Sequence, residues 1–171
     1  MTLVSVGDKG SYSGLENFDC GIPALNEYLT KYAFQNDKKG IGKTFLGIED
    51  QKIVGFFTLS TAQVKLDCFP EDDKRLISRY PIPAIRIARL AVMKNSQRKG
   101  YGRVLLKEAF TKILVASQSV GIYLVIVDAK DEAKPFYEHF GFRKLKTVES
   151  TYFLMVDTIR KAAFSSIKTL D

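Results

Sequence analysis

Histidine and cysteine are scarce in this chain of 171 residues, with one histidine, His139, and two cysteines, Cys20 and Cys68. One histidine cannot build a His-rich metal site within a single copy. Nor does a G-x-S-x-G turn precede a helix, so a Ser-His-Asp hydrolase is not indicated. Two cysteines form neither a disulfide framework nor a metal-ligand cluster, and they read as free thiols of a reducing compartment. No run approaches the roughly 20 apolar residues of a membrane span. The opening "MTLVSVGDKG" lacks the basic region and long apolar core of a signal peptide. Repeats, low-complexity segments and linkers are also missing. The expectation is one cytoplasmic domain over 1–171 with no membrane contact, and a 46% apolar composition suffices for its core.

Cations are plentiful and unevenly placed. The net charge is +7. Between Ala84 and Lys112 stand eight cations, Arg86, Arg89, Lys94, Arg98, Lys99, Arg103, Lys107 and Lys112, against one anion, Glu108. That surplus of seven equals the surplus of the whole chain, and such a local field draws anionic ligands. Lys107 and Lys112 fit a solvated helix face; the cations in and beside "QRKGYG" invite a ligand.

Periodicity places the elements. "DCGIPALNEYLTKYAFQND" predicts a first helix, with Asp19 as its cap and Pro23 in its first turn. Leu25, Leu29, Tyr32 and Asn36 follow the helical period, with the three apolar ones facing the core. "TFLGI" and "KIVGFFTLS" predict two strands joined at Glu49–Gln51. The proline-punctuated "CFPEDDKRLISRYPIP" predicts a loop with at most one helical turn. In "AIRIARLAV", Ile85 and Ile87 share one phase and Leu90 and Val92 the other, which predicts a β-bulge. A helix follows, with Leu106, Ala109, Phe110 and Ile113 on one face. "IYLVIVDA" is an unbroken apolar run, hence a strand buried on both faces. Next come a short helix in "DEAKPFYEHFGF" ending at Gly141, a strand in "TYFLMV" and a tail, about 158–171, read as an extra helix. Strand, glycine loop, helix, buried strand is a βαβ unit of an α/β fold.

Two phosphate motifs fail. "DKKGIGKT" has Asp37 where a P-loop needs its first glycine, and a helix precedes where a strand should. After Gly100 and Gly102 the third glycine of a dinucleotide fingerprint would fall at Leu105. What "QRKGYG" does provide is a helix start near Gly102 or Arg103 with free N–H groups and the positive end of a dipole. Gly100 and Gly102 permit close backbone approach, and Arg98, Lys99 and Arg103 add charge. This describes a pyrophosphate cradle without a metal, since no carboxylate stands nearby to hold magnesium.

"QRKGYG" resembles the Gln/Arg-x-x-Gly-x-Gly/Ala signature of the Gcn5-related N-acetyltransferases (GNAT), and "AKPFYEHFGF" resembles their Phe-Tyr-x-x-x-Gly-Phe segment. Together with the bulged strand, the resemblance covers roughly 44–155. It implies a single α/β domain whose mixed central sheet has a bulged strand splayed from its parallel neighbour, with helices on both faces. It implies acetyl-CoA as acetyl donor and no metal. The backbone of Leu90, Ala91 and Val92 would flank the pantetheine and supply an N–H to the thioester oxygen. Gln97, Arg98, Lys99, Gly100, Tyr101, Gly102 and Arg103 would hold the pyrophosphate, with Ala133 and Phe136 also at the cofactor. Tyr137 would protonate the leaving thiolate; its bland alternative is a packed core aromatic. His139 lies two residues on, on a different side of the helix.

No general base stands in the bulged strand. A lysine amine, with a pKa of about 10.4, would need one; an α-amine, at about 7.7–8.0, is partly neutral already. "FDCGIPALNEYL", "IPAIRIARLAV" and "VDAKDEAKPFYEHFGF" look like the acetyltransferase toxins of bacterial toxin–antitoxin pairs. That narrower resemblance implies acetylation of the α-amine of aminoacyl-tRNA and a block of translation. Its implied partners are charged tRNA, a ribbon-helix-helix antitoxin and a second copy in a homodimer. Arg89 matches the subgroup's basic residue before "LAV"; Arg86 and Arg89 would then serve the substrate, and the positive surplus the RNA phosphates. Ala88 departs from the subgroup's usual glycine. Two alternatives stand beside this: a GNAT enzyme acting on a protein N-terminus or another small amine, and a non-catalytic acyl-CoA-binding module.

Overall fold

In the computed structural model the described residues are 1–7, 14–74, 81–146 and 148–168. The strands are β1 (Thr2–Ser5), β2 (Lys43–Glu49), β3 (Lys52–Val64), β4 (Ile82–Val92), β5 (Leu124–Asp128), β6 (Arg143–Lys144) and β7 (Thr151–Met155). The helices are α1 (Pro23–Glu27), α2 (Ala33–Lys38), α3 (Glu71–Lys74), α4 (Tyr101–Ala116), α5 (Lys134–His139) and α6 (Val156–Lys168), with a π turn at Tyr28–Tyr32 joining α1 to α2. The strands form a seven-stranded mixed sheet in the order β1-β2-β3-β4-β5-β7-β6, with one parallel pair. A crossover helix such as α4, between β4 and β5, is the connection a parallel pair requires.

The chain makes two compact units, Met1–Ser60 with Ile87–Thr111, and Thr61–Arg86 with Lys112–Asp171. In the first, β2 and β3 form the expected hairpin. Glu49 pairs with Lys52 across Asp50 and Gln51, whose φ values of 48° and 61° suit a two-residue turn with both central residues left-handed. Its core gathers Phe18, Tyr28, Leu29, Ala33, Leu46, Ile53 and Phe56. Phe18 meets Phe56 edge-on at 5.4 Å.

The first helix departs from expectation in two ways. Pro23 does open it, but the N-cap is Ile22, with no side-chain cap. Asp19 instead accepts the Gly21 N–H and the Asn26 amide, each at 2.8 Å, bracing the loop before the helix. Tyr32 is 49% exposed rather than core-facing. The π turn is the reason: the Ala33 N–H bonds the Tyr28 carbonyl, which adds one residue to that turn. The inward stripe therefore passes from Leu29 to Ala33 and Asp37, all buried. The P-loop look-alike is a helix end and turn. Asp37 accepts Lys43 Nζ at 2.7 Å and the Thr44 N–H at 3.2 Å.

Gly55 in β3 leaves room for β4. A Cβ there would meet the Ala91 carbonyl oxygen at 2.5 Å and a Leu105 methyl at 2.6 Å. Backbone cannot yield as a side chain end can, so Gly55→Ala should destabilise by about 1–3 kcal/mol. Thermal melting reads this as a midpoint lowered by roughly 2–4 °C per kcal/mol.

The second unit has its own core of Val64, Phe69, Ile82, Ala84, Leu124, Ile126, Leu145 and Phe153. Leu124–Val127 are all buried, as a strand covered on both faces requires. β5 pairs antiparallel with β7, from Leu124↔Met155 to Asp128↔Thr151. Of the proline-punctuated stretch, α3 supplies one helical turn, and residues 75–80 lie outside the described residues.

Along β4 the buried positions are Ile82, Ala84, Ile87 and Ala91. The phase therefore slips between Ala84 and Ile87, upstream of the expected place, and Leu90 and Val92 are half-buried. The boundary between the two units crosses β4 at that same point, after Arg86. A register irregularity also lies in β2, between Gly47 and Ile48.

Candidate active site

Where β4 ends, its backbone is tied down residue by residue. The Met93 N–H donates to the Val54 carbonyl and the Lys94 N–H to the Asp19 carbonyl, both at 2.8 Å. A 3-10 turn, Lys94–Ser96, delivers Gln97. Its side-chain amide donates to the carbonyls of Cys20 at 2.9 Å and Val92 at 3.1 Å. Gln97 thus clamps three segments: the end of β4, the loop before α1 and the glycine loop. The Asp19 loop is itself rigid, because the Cys20 N–H bonds Asn26 Oδ1 at 2.9 Å. The Gly21 N–H bond holds the Asp19 carboxyl below its ordinary range.

After that clamp the chain enters a shape that ordinary residues avoid. Arg98 has φ 60° and Gly100 φ 88°, both left-handed. The first bond of α4 runs from the Val104 N–H to the Gly100 carbonyl at 3.2 Å. The N–H groups of Tyr101, Gly102 and Arg103 therefore precede the helical ladder and carry the positive end of the dipole of a 16-residue helix. A Cβ on Gly100 would touch no protein atom within 4 Å. Arg98, Lys99 and Arg103 are exposed, and among the described residues none is paired with a carboxylate. This is an anion cradle in form, charge and access.

One member behaves differently. The Tyr101 phenol donates to the Glu49 carboxylate at the end of β2. That bond holds the Glu49 carboxyl below its usual range and pushes the Tyr101 phenol up. A carboxylate does therefore stand beside the loop, contrary to the reading from local sequence.

In the second unit, α5 presents Tyr137. The Gly141 N–H bonds the Glu138 carbonyl at 2.9 Å and the Phe142 N–H the Tyr137 carbonyl at 3.2 Å. With Gly141 at φ 85° this is a Schellman closure, and it fixes the backbone of Tyr137. Phe136 and Phe142 pack edge-on against its ring at 5.1 and 5.4 Å. Tyr137 is 8% exposed, and burial pushes its phenol up to about 12. Among the described residues its hydroxyl has no hydrogen-bond partner. Buried tyrosine hydroxyls normally find one, in protein, water or ligand. Ala133 and Phe136 are half-buried beside it on the same stretch, and His139 is exposed, its ring edge-on to Phe140 at 5.3 Å.

Arg86 and Arg89 of β4, expected from the sequence to serve the substrate, have different surroundings. Arg86 is ion-paired with Asp128, whose other oxygen accepts the Thr151 hydroxyl at 2.6 Å. Arg89 lies over the Tyr28 ring, its guanidinium carbon 3.5 Å from the centroid. Leu90 and Val92 are half-buried and Ala91 is buried. Sequence reasoning missed Glu49, Asp128 and Tyr28, whose partners are all distant in the chain. Among the described residues no group of three or more His, Cys, Asp or Glu could hold a metal ion. Nor, among them, is any helix long and apolar enough to cross a membrane.

The described features are an α/β sheet, an anion cradle at the start of α4 in the first unit and a buried phenol on α5 in the second. The Acetyltransferase (GNAT) domain family matches residues 11–155, and the chain belongs to that family. The family read from "QRKGYG" and "FYEHFGF" is thus borne out. A curated relative, the tRNA-acetylating toxin of Mycobacterium tuberculosis, is 35% identical over 127 residues, covering 74% of this chain and 76% of that protein. A crystal structure of a KacT mutant superimposes with a TM-score of 0.86 at 26% identity, covering 94% of this chain and 98% of that one. AtaT complexed with acetyl-methionyl-tRNAfMet gives a TM-score of 0.85 at 26% identity, with the same coverage. An AtaT mutant bound to acetyl-CoA and the C-terminus of the antitoxin AtaR gives 0.79 at 25%, covering 94% of this chain and 96% of that one.

Proposed function

We propose that this protein transfers acetyl from acetyl-CoA to the α-amine of aminoacyl-tRNA and so blocks translation as the toxin of a toxin–antitoxin pair. The observation that carries the reading is the clamped loop 97–103. It is a strained, glycine-opened cradle with three unpaired cations, on a chain similar across most of its length to tRNA-acetylating toxins. When bound, acetyl-CoA supplies an acyl carbon open to amine attack and a thiolate leaving group.

The residues divide the work. The Tyr101, Gly102 and Arg103 N–H groups, with Arg98 and Lys99, hold the pyrophosphate. Gln97 keeps that loop and the end of β4 in one shape. A backbone N–H of Leu90–Val92 bonds the thioester oxygen as negative charge develops there. Tyr137 holds a proton on its hydroxyl for the departing sulfur, and water takes the proton released by the amine. Ala133 and Phe136 complete the cofactor side, and Arg89 meets the RNA. A charged-tRNA substrate places this work in the cytoplasm. The relatives' complexes support an antitoxin partner, a ribbon-helix-helix protein on the resemblance above.

The RNA reading has a test in ionic strength. Each phosphate neutralised on binding releases counterions, so between about 50 and 200 mM salt transfer to charged tRNA should fall by roughly 10³-fold or more if several phosphates are contacted. Transfer to a small amine should barely change. Equal salt sensitivity of the two reactions would remove RNA recognition from the account.

A further inference from the structure

Arg89 is a half-buried guanidinium without a carboxylate partner among the described residues, yet it is not loose. The ring it lies on belongs to the buried Tyr28. That ring stacks with Phe56 at an interplanar angle of 22°. Its hydroxyl shares a hydrogen bond with Thr44 Oγ1 at 3.2 Å, and Thr44 Oγ1 shares another with Thr58 Oγ1 at 2.9 Å. The Thr44 N–H reaches the buried Asp37 carboxylate. The π turn begins at Tyr28, whose carbonyl takes the turn's closing bond, and π turns inside helices gather at functional sites. Ring, hydroxyl and backbone of Tyr28 are each held, and what this frame supports at its outer end is one unneutralised guanidinium. Arg86, three residues earlier on the strand, has its charge cancelled by Asp128.

We propose that Tyr28 is a positioning residue: its ring holds the Arg89 guanidinium flat, with the N–H edge free to take a phosphate of the RNA substrate in a bidentate contact. The idea rests on the charged-tRNA reading above. A stacked, planar fork is the geometry in which arginine, and not lysine, recognises phosphate. Pre-ordering also spares the long side chain the entropy of immobilisation when RNA binds.

The test measures binding of charged tRNA by fluorescence anisotropy with acetyl-CoA left out, so that no turnover occurs. Tyr28→Leu should raise Kd about fivefold to thirtyfold, the equilibrium equivalent of a partly desolvated cation–π contact. Tyr28→Phe keeps the ring and should stay within about twofold. Arg89→Gln should weaken binding and lower the salt slope by about one. Its effect should be much smaller on the Tyr28→Leu background, because the two residues act as one device. Melting curves report whether each variant folds. If Tyr28→Leu does not fold, NMR of the wild-type protein decides: the Arg89 Hε signal should move on adding charged tRNA while that of Arg86 stays in place. The positioning role is overturned by a folded Tyr28→Leu with wild-type affinity, by Tyr28→Phe as damaging as Tyr28→Leu, by independent effects of Tyr28→Leu and Arg89→Gln, or by an unmoved Arg89 signal. Wild-type protein that binds no charged tRNA overturns the underlying reading as well, a distinct result seen before any variant is made.

Discussion

Tyr137→Phe should lower turnover by roughly 10²–10⁴-fold, the usual worth of a positioned proton donor, while acetyl-CoA affinity stays near wild type. The substitution keeps the ring that packs against Phe136 and Phe142 and removes only a hydroxyl that has no partner among the described residues. A core aromatic with no chemical role would tolerate it, since losing an unpaired buried hydroxyl is neutral or stabilising. The variant should therefore melt no lower than wild type even as turnover collapses. The pH profile carries a related signature. With its phenol pushed up to about 12, Tyr137 keeps its proton throughout the neutral range. The rate should rise with pH as the acceptor α-amine, near 7.7–8.0, loses its proton, with no downturn at about 10 where an unperturbed tyrosine ionises. A variant keeping most of its turnover, or a downturn near pH 10 in the wild type, would assign the proton to another group.

Gly100→Glu should abolish measurable acetyl-CoA binding. Three effects act together. At φ 88° any side chain strains the backbone, by about 1–3 kcal/mol. The new side chain would extend into space that no protein atom occupies within 4 Å, which is where a phosphate would approach the α4 N–H groups. Its carboxylate would cancel one of the unpaired cations. Gly100→Ala separates these effects, retaining the strain without the bulk or charge, and should bind with intermediate affinity. Calorimetry with acetyl-CoA reads all three proteins, and wild-type affinity in Gly100→Glu would move the pyrophosphate elsewhere.

Local signals carried much of the fold. The β2–β3 turn, the unbroken run of β5 and the Gly141 closure of α5 each depend on residues within a few positions of one another, and each stands where periodicity and turn chemistry put it. The misreadings share a cause. No local pattern announces the π turn at Tyr28, because one added residue per turn is favoured only once Leu29, Ala33 and Asp37 all find partners. β1 and β6 are edge strands of 4 and 2 residues, specified by the strand beside them more than by their own sequence. The phase slip of β4 fell earlier than the apolar residues suggested because small Ala84 and Ala91, rather than Leu90 and Val92, are the buried ones.

The site divides in the same way. Gly100, Gly102 and the cations of the loop could be read directly, because an anion cradle is a local device. Tyr137 could be placed only through family resemblance, since nothing in "PFYEHFGF" distinguishes a proton donor from a core ring. The long-range bonds were out of reach: Gln97 to Cys20, Tyr101 to Glu49, Arg86 to Asp128 and Arg89 over Tyr28. They decide which of the visible residues hold the site in shape and which keep charge for a ligand.

One assay identifies the acceptor. Purified protein is incubated at low salt with labelled acetyl-CoA and a pool of charged tRNAs, beside uncharged tRNA and a lysine-rich peptide. Label is expected on one or a few charged tRNAs, released when the aminoacyl ester is hydrolysed, and none on uncharged tRNA. Label on the peptide with none on charged tRNA would contradict the charged-tRNA reading and identify a protein N-acetyltransferase instead.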